Sequence, residues 1–516
     1  MSGARPQGRP WWKDTVVYQI YPRSFLDTTG NGVGDLEGIR RRLDYLVWLG
    51  VDAVWLSPVF RSPMKDFGYD VADYCDVDPS FGSLADLDRL IADAHARGMK
   101  VLLDWVPNHT SDQHAWFVES RRSRTSPKRD WYLWRDPTPD GRPPNDWKAA
   151  FPAGTDAWTL DPGTGQYYLH LFLPEQPDLN WGNPEVVRAM HDVLRFWLDR
   201  GVDGFRVDVA HAIGKDAALA DERPEWRGIP HAALHEDPST HGHLRGLRAL
   251  VDGYAGDRML VGEIFQLFVQ AHERYFGAND ELHLAFDLPA SVATPWEGPA
   301  WRARIADVAA RLDPIGAWPT WVLSNHDTPR HLGRFGGERQ ARAAALMLLT
   351  LRGTPFLYAG EELGLADAVV PETRRVDLGG RDGCRAPIPW DASPTHGWAT
   401  GSPWLPWPPD ASAASLERRR ADERSVLHLY RRVLATRRAS PALRDGSLTL
   451  RDAPDGVVSY ERASGAERWV VAINFRDAPA ALGLEGRVVV ASDGVGEAAP
   501  FAGSLGPHQA VVVRVT

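Results

Sequence analysis

Cysteine is nearly missing from this chain: there are two in 516 residues, Cys75 and Cys384, far apart. That excludes a disulfide framework and a cysteine-based zinc site, and it fits a reducing cytoplasm. There is no run of about 20 apolar residues, the length a membrane-spanning helix needs. The N-terminal MSGARPQGRPWWKD also lacks an apolar stretch of signal-peptide length. The expectation is a soluble, cytoplasmic protein with no membrane partner, a monomer or small homo-oligomer. Basic residues are outnumbered, 58 Lys and Arg against 68 Asp and Glu, and form no clustered stripe. Nucleic acid is therefore not an expected partner. Repeats and low-complexity linkers are lacking as well.

What is abundant is tryptophan, with 22 residues. Flat apolar rings stack on the C–H faces of sugars and equally well fill cores, so the count alone leaves both readings open. The length exceeds one compact core, so two or three domains are expected.

One pattern recurs at four places: an apolar, strand-like run that ends abruptly in acid, histidine or arginine. These are VLLDWVPNH (101–109), VDGFRVDVAH (202–211), MLVGEIF (259–265) and WVLSNHD (321–327). Strands apolar on both faces and separated by helix-length segments predict a parallel α/β barrel, with catalytic groups at the C-terminal strand ends. Asp104, Arg206, Asp208, Glu263, His326 and Asp327 would then converge, although more than 200 residues separate first from last.

Eight candidate strands follow in order, at 16–22, 51–59, 100–108, 202–210, 259–265, 281–288, 318–327 and 354–362. Amphipathic helix patterns lie between them. In LEGIRRRLDYLVWLG, Ile39, Leu43, Leu46 and Leu49 recur at helical spacing and Gly50 supplies a stop. EVVRAMHDVLRFWLDRG repeats the device from Pro184 to Gly201.

Two gaps break this rhythm. One, rich in Trp, Pro, Gly and Tyr, follows strand three and reads as an inserted subdomain over the barrel mouth. Another, about 363–412, follows strand eight. Beyond about residue 440, short β-alternating runs divided by turn residues predict a small antiparallel β domain. The predicted architecture is α/β: a (β/α)8 TIM barrel (1–109 and 177–438), an inserted subdomain (110–176) and a C-terminal antiparallel β-sandwich domain (439–516).

Arg206 and Asp208 project to the same side of their strand, since side chains alternate. An adjacent arginine is expected to keep Asp208 ionised, which suits a nucleophile. Glu263 ends an apolar run; apolar surroundings are expected to raise its pKa, which suits a general acid. Asp327, beside His326, would be a third acid that favours developing positive charge. Singly, each is an ordinary strand-end cap or ion-pair partner. Jointly, carboxyls in an aromatic pocket are what glycosidic bond cleavage needs.

At this point the chain resembles the α-amylase superfamily, glycoside hydrolase family 13, in its α-glucosidase and oligo-1,6-glucosidase branch. QIYPRSF, DWVPNHTS, QPDLNW, GFRVDVAH, GEIF, SNHDTPR, GTPFLYAGEELG and GRDGCRAPIPW carry the resemblance. It implies a retaining double displacement with Asp208 as nucleophile, Glu263 as acid/base and Asp327 as transition-state stabiliser. Arg206, His109 and His326 match positions that hold the first glucose, and Asp104 matches a support for Arg206. Asp66 and Tyr69 match residues of a terminal-glucose pocket. Arg381 resembles the arginine that pairs with that aspartate and blocks the pocket, against a surface ion pair as the bland alternative; Arg385 fits that role less well. Phe151, Phe172 and Gln176 match pocket walls.

The segment DTTGNGVGDLEG resembles a calcium-type loop. Its oxygen donors are Asp27, Thr29, Asn31, the Val33 carbonyl and Asp35. Thr29 and Asn31 leave it fewer charges than related loops carry, and a glycine-rich turn without metal is the alternative. Any Ca2+ or Mg2+ there would be structural, with no cofactor needed for catalysis. The long loop after Asp208 (211–246) carries several histidines without compact metal spacing and reads as solvated. In this family that loop overhangs the leaving-group side.

These features favour an exo-acting α-glucosidase on short malto- or isomalto-oligosaccharides. A transglucosylase or trehalose synthase using the same intermediate is the runner-up. Val209, after the nucleophile, tends to accompany α-1,6 cleavage in the branch, whereas the DVAH context resembles α-1,4 enzymes, so both linkages stay open. Non-catalytic transporter partners share the barrel, but they lack the acids and carry a membrane helix.

Overall fold

In the computed structural model, which describes residues 9–227, 237–265 and 269–515, eight short parallel strands form one sheet. They are β1 (Val17–Ile20), β2 (Ala53–Leu56), β3 (Lys100–Trp105), β4 (Gly204–Val207), β5 (Met259–Ile264), β6 (Leu284–Asp287), β7 (Thr320–Val322) and β8 (Thr354–Tyr358). The hydrogen-bonded order is β6-β5-β4-β3-β2-β1-β8-β7. The two edge strands meet, and the Thr320 hydroxyl donates to the Ala285 carbonyl across the seam at 2.7 Å. The sheet is thus a nearly closed barrel.

Two apolar clusters explain why every strand is buried on both faces. Val17, Ala53, Trp55, Leu102, Met259, Val261, Leu284, Phe286, Val322 and Phe356 fill the barrel interior, with Trp11, Trp12 and Trp318 in the same cluster. Alternate residues such as Tyr18, Val54, Leu103, Phe205 and Leu260 point outward, where the helices cover them. Period two then sends Gln19, Asp104, Arg206 and Glu263 inward, one step beyond the interior apolar layer. The apolar floor and the polar top therefore come from the same strands.

Helix starts follow local chemistry. Asn183 accepts from the Glu185 N–H ahead of Pro184–Asp199, and Ser83 and Asp86 form a capping box at Leu84–Ala96. The helix expected from Leu36 to Leu49 is two, Leu36–Arg41 and Leu43–Leu49, separated at Arg42 (φ −104°, ψ 3°). Arg42 lies over the Trp390 ring, 4.3 Å from its centroid, a tertiary contact that helical periodicity does not report. Gly50 closes the second helix with φ 106°.

After β3 the chain forms helix Ala115–Arg121 and a three-stranded antiparallel sheet of Trp134–Arg135, Gln166–Leu169 and Trp158–Asp161. Phe117 stacks on Trp134 here, packed against Tyr132 and Tyr168. The C-terminal domain is a five-stranded antiparallel sheet with a two-stranded sheet (Ala480–Ala481 with Ser504–Leu505) beside it. Alternation divides its faces: Val458, Tyr460, Val471 and Ile473 join the main core, while Val457, Ala472, Val511 and Val513 face the small sheet. No described helix is long and apolar enough to cross a membrane.

Two buried arginines tie this domain to the barrel. Arg437 donates to the carbonyls of Leu349, Leu351, Leu443 and Gly353, and Arg462 to those of Thr350, Gly446 and Ser447. Most of these acceptors lie at the C-terminal end of helix Glu338–Thr350 or just beyond it, where a cation complements the helix dipole. Arg437→Met should cost about 3 kcal/mol, because it strands buried acceptors of a charged donor. Urea unfolding would show the loss, with kcat per folded molecule unchanged.

Candidate active site

The ends of β3, β4 and β5 meet at one guanidinium. Asp104 and Arg206 are register partners on β3 and β4. Arg206 Nη1 donates to Asp104 Oδ1 (2.7 Å) and Asp208 Oδ1 (2.5 Å), and Nη2 lies 2.7 Å from Glu263 Oε2. One cation thus serves three carboxylates.

This sharing corrects the expectation for Asp208. Burial raises its pKa well above the ordinary carboxylate value; Arg206 opposes the rise, but Glu263 and Asp104 add repulsion. An arginine divided three ways cannot hold each acid down. Glu263 likewise does not sit in purely apolar surroundings. Its Oε2 accepts from Arg206 and from the Val209 N–H at 3.0 Å, so these contacts fall on one of its two oxygens. Val209 presents that N–H from the left-handed region (φ 43°), an outlier for a β-branched residue that costs about 1–3 kcal/mol.

A second cluster surrounds Asp327. Its Oδ1 is 3.1 Å from both Arg381 Nη1 and Arg385 Nη2, and Oδ2 is 3.2 Å from His326 Nε2. Burial pushes Asp327 up, but this cationic company outweighs it and holds the carboxyl well below its usual range. His326 is itself lowered to about 3 by burial, so near neutral pH the two guanidiniums do the holding. Its ring is fixed by Gln19 Nε2 at Nδ1 (2.8 Å) and the Tyr69 hydroxyl at Nε2 (2.5 Å). With Gln19 donating to Nδ1, the Tyr69 hydroxyl accepts from Nε2–H and gives its own proton to Asp104 Oδ2, to which Trp55 Nε1 also donates, joining the two clusters.

Between them opens a cavity of about 460 Å³, lined by Asp208, Glu263, Asp327, Asp66, Tyr69, His109, Phe151, Phe172 and Arg381 among others. Arg206, His326 and Gln176 stand behind that lining. Gln176 Nε2 reaches Asp66 Oδ2 at 3.3 Å and His109 Nε2 at 3.1 Å. His109 is lowered to about 4 by burial, hence neutral, and Asn108 holds its Nδ1 at 3.0 Å. At the closed end, Arg381 Nη2 donates to Asp66 Oδ1 at 2.7 Å and lies over Phe151, 5.0 Å from the ring centroid. That pair is no surface ion pair: Asp66 is 6% exposed.

Some residues here were missed by sequence reasoning. Arg385 leaves Asp66 to Arg381, as expected, but its burial and its contact with Asp327, as close as that of Arg381, were not foreseen. Asp377 grips Arg381, and His211, Phe265 and Leu378 line the cavity. Tyrosine and phenylalanine supply the aromatic lining; the cavity lining includes no tryptophan among the described residues. Most of the tryptophans fill cores instead, as at Trp105, Trp197 and Trp301.

The glycine-rich loop closes on its own donors. Asp27 Oδ1 accepts from the Thr29 and Gly30 N–H groups and the Thr29 hydroxyl, and Oδ2 accepts from the Gly32 N–H. Asp35 caps the first helix through Gly38 and holds Thr28; Asn31 accepts from the Val33 N–H. Of the histidine-bearing loop, His211 is in the cavity wall, while His231 and His235 lie outside the described residues. No described group of three or more His, Cys, Asp or Glu side chains could hold a metal ion.

Residues 19–446 match the family model of the alpha amylase catalytic domain. A probable alpha-glucosidase of Rhizobium meliloti is 42% identical over 91% of this chain and 90% of its own. An oligo-1,6-glucosidase of Heyndrickxia coagulans is 38% identical over 90% and 92%. Among solved structures, the alpha-glucosyl transfer enzyme XgtA superposes with a TM-score of 0.90 at 41% identity, covering 98% of this chain and 100% of that one. The trehalulose synthase MutB from Pseudomonas mesoacidophila MX-45 gives 0.93 at 36%, covering 99% and 100%. With its barrel, its strand-end acids and a match over most of its length, the chain belongs to the alpha-amylase family.

Proposed function

We propose that this protein is a retaining, exo-acting α-glucosidase that removes terminal glucose from short malto- or isomalto-oligosaccharides. The observation that carries this reading is the single cavity that brings Asp208, Glu263 and Asp327 together and is shut at one end by Asp66 and Arg381. A terminal glucose fits such a pocket; the interior of a long chain has no way through.

In this reading Asp208 attacks the anomeric carbon. Glu263 gives its proton to the departing oxygen, then takes one from the incoming water. Asp327, held ionised, faces the positive charge that develops on the ring. Neutral His109, in the cavity wall, faces the sugar without adding positive charge beside that ring, and neutral His326 holds Tyr69 and Asp327 from behind the wall. The named relatives support hydrolysis. The transfer enzymes among the structural neighbours favour a second reading, in which a sugar replaces water on the same intermediate.

Glucose release from maltose, isomaltose, sucrose, trehalose and starch tests the proposal. One disaccharide is expected to be cut rapidly and starch barely. Mostly new glycosidic bonds at high substrate concentration would move the assignment to transfer, and shortening of starch from within would remove the closed-pocket reading. Asp66→Ala should raise KM for the best disaccharide by on the order of 10²-fold, from loss of charged hydrogen bonds worth about 1.5–3 kcal/mol each. An unchanged KM would take Asp66 out of the pocket's closed end.

We also propose the Asp27–Asp35 loop as a weak structural site for Ca2+ or Mg2+. Its donors, Asp27, Thr29, Asn31, Asp35 and the Val33 carbonyl, are all hard oxygens. An ion must displace the loop's own N–H donors, so millimolar binding is expected. About 10 mM CaCl2 should raise Tm by a few degrees through binding to the folded state, while EDTA leaves kcat unchanged. A Tm indifferent to both ions would dismiss the site.

A further inference from the structure

Asp377 is not part of the cavity lining, yet it grips the guanidinium that shuts the cavity. It lies on the segment after β8, with its side chain 2% exposed. Its carboxylate meets Arg381 along one edge: Oδ2 is 3.0 Å from Nε and Oδ1 is 2.6 Å from Nη2. Oδ2 also accepts the Arg381 backbone N–H at 2.7 Å. Asp382 closes the same turn by accepting the N–H groups of Val376 (2.9 Å) and Asp377 (3.3 Å). Gly379 wedges the turn against the inserted subdomain. A Cβ there would stand 2.8 Å from Phe151 Cε2 and 3.1 Å from Asp377 Oδ2.

This grip decides which nitrogens of Arg381 remain for the pocket. Nε is committed to Asp377, Nη2 is divided between Asp377 and Asp66, and Nη1 alone reaches Asp327. A guanidinium binds a carboxylate most strongly through two adjacent N–H groups, and Asp377 already holds the Nε/Nη2 edge. If that edge is released, Arg381 is free to turn and take Asp327 or Asp66 with two nitrogens. Asp327 captured in that way would have both oxygens engaged and much of its charge cancelled, where a sugar ring needs the charge uncancelled. The balance at this end of the cavity is two cations, Arg381 and Arg385, against three anions, Asp66, Asp327 and Asp377. Removing Asp377 removes the anion that does not face the ligand.

We infer that Asp377 is a positioning residue that fixes the closed end of the glucose pocket and keeps Arg381 from capturing Asp327. The inference rests on the glucosidase reading above. Its test compares wild type, Asp377→Asn and Asp377→Glu for kcat and KM on the disaccharide that the wild type cleaves fastest. The same proteins are compared for affinity toward 1-deoxynojirimycin, a cationic glucose mimic that reads the negative charge of the pocket, and for Tm. In Asp377→Asn, kcat should fall and KM rise, each by on the order of 10-fold, as small misplacements of pocket groups can cost about 10² overall. The mimic should bind on the order of 10-fold more weakly, and Asp377→Glu should recover most of all three. Constants within about twofold of wild type would overturn the inference. So would a Tm loss whose folded fraction keeps wild-type constants. A wild type that cleaves no α-glucoside overturns the parent reading, and this one with it; an active wild type matched by an equally active Asp377→Asn overturns this one alone.

Discussion

Asp208→Asn should lower kcat on the best disaccharide by on the order of 10⁴-fold or more, about 5.5 kcal/mol of barrier. The amide keeps the shape and the hydrogen bond to Arg206 but has no lone pair able to form the glucosyl ester. The same substitution should raise Tm. Asp208 has a folded-state pKa above its unfolded value, so the folded state carries an ionisation cost that grows as pH climbs from the unfolded value through the raised one. Above that window the cost is present in full, and asparagine removes it, along with repulsion from Glu263 and Asp104. A large loss of activity with a gain in stability is the signature of a strained catalytic group. The raised pKa also places the acid limb of wild-type kcat/KM above the ordinary carboxylate range, since activity requires the ionised form and is lost as pH falls. A variant that retains activity would displace Asp208 from the nucleophile's role; one that loses activity through unfolding would leave the electrostatic account without support.

Glu263→Gln should lower kcat for a disaccharide by on the order of 10³-fold, within the usual span for a general acid. Substrates with a good leaving group, such as a p-nitrophenyl glucoside, should suffer far less in the first step, since little protonation is needed. Their glucosyl-enzyme should then accumulate, because no base activates water. Added azide, which needs no base, should restore turnover and give α-glucosyl azide. The Oε2 contacts to Arg206 and Val209 survive in the amide only in part, so a modest rise in KM is also expected. Equal losses for both substrate types, with no azide product, would show that Glu263 is not the proton donor.

The barrel was legible because its strands are buried on both faces and read as apolar runs. Each strand is shorter than its run: the stretch at 318–327 yields only Thr320–Val322. Its last residues leave the ladder to form the site, and that departure follows contacts with other loops that no local pattern contains. The strand-end acids were legible for the same reason, as charges where an apolar run should continue. The charge balance was not. Arg206 was read with Asp208 and Asp104, whereas the register of β3, β4 and β5 brings Glu263 to it as a third acid. Arg381 was ranked above Arg385 as the partner of Asp66, and it holds that place, but the approach of both to Asp327 from one short 3-10 turn was not legible. Asp377 gave no signal at all; its role depends on a fold-back that sets it behind Arg381.

The double displacement itself is tested most directly by proton NMR of the glucose first released from the preferred disaccharide, recorded before mutarotation. Two inversions, one at Asp208 and one at water activated by Glu263, predict α-glucose as the first anomer. β-Glucose appearing first would mean a single inversion, and would contradict the glucosyl-enzyme on which the assignment of these residues depends.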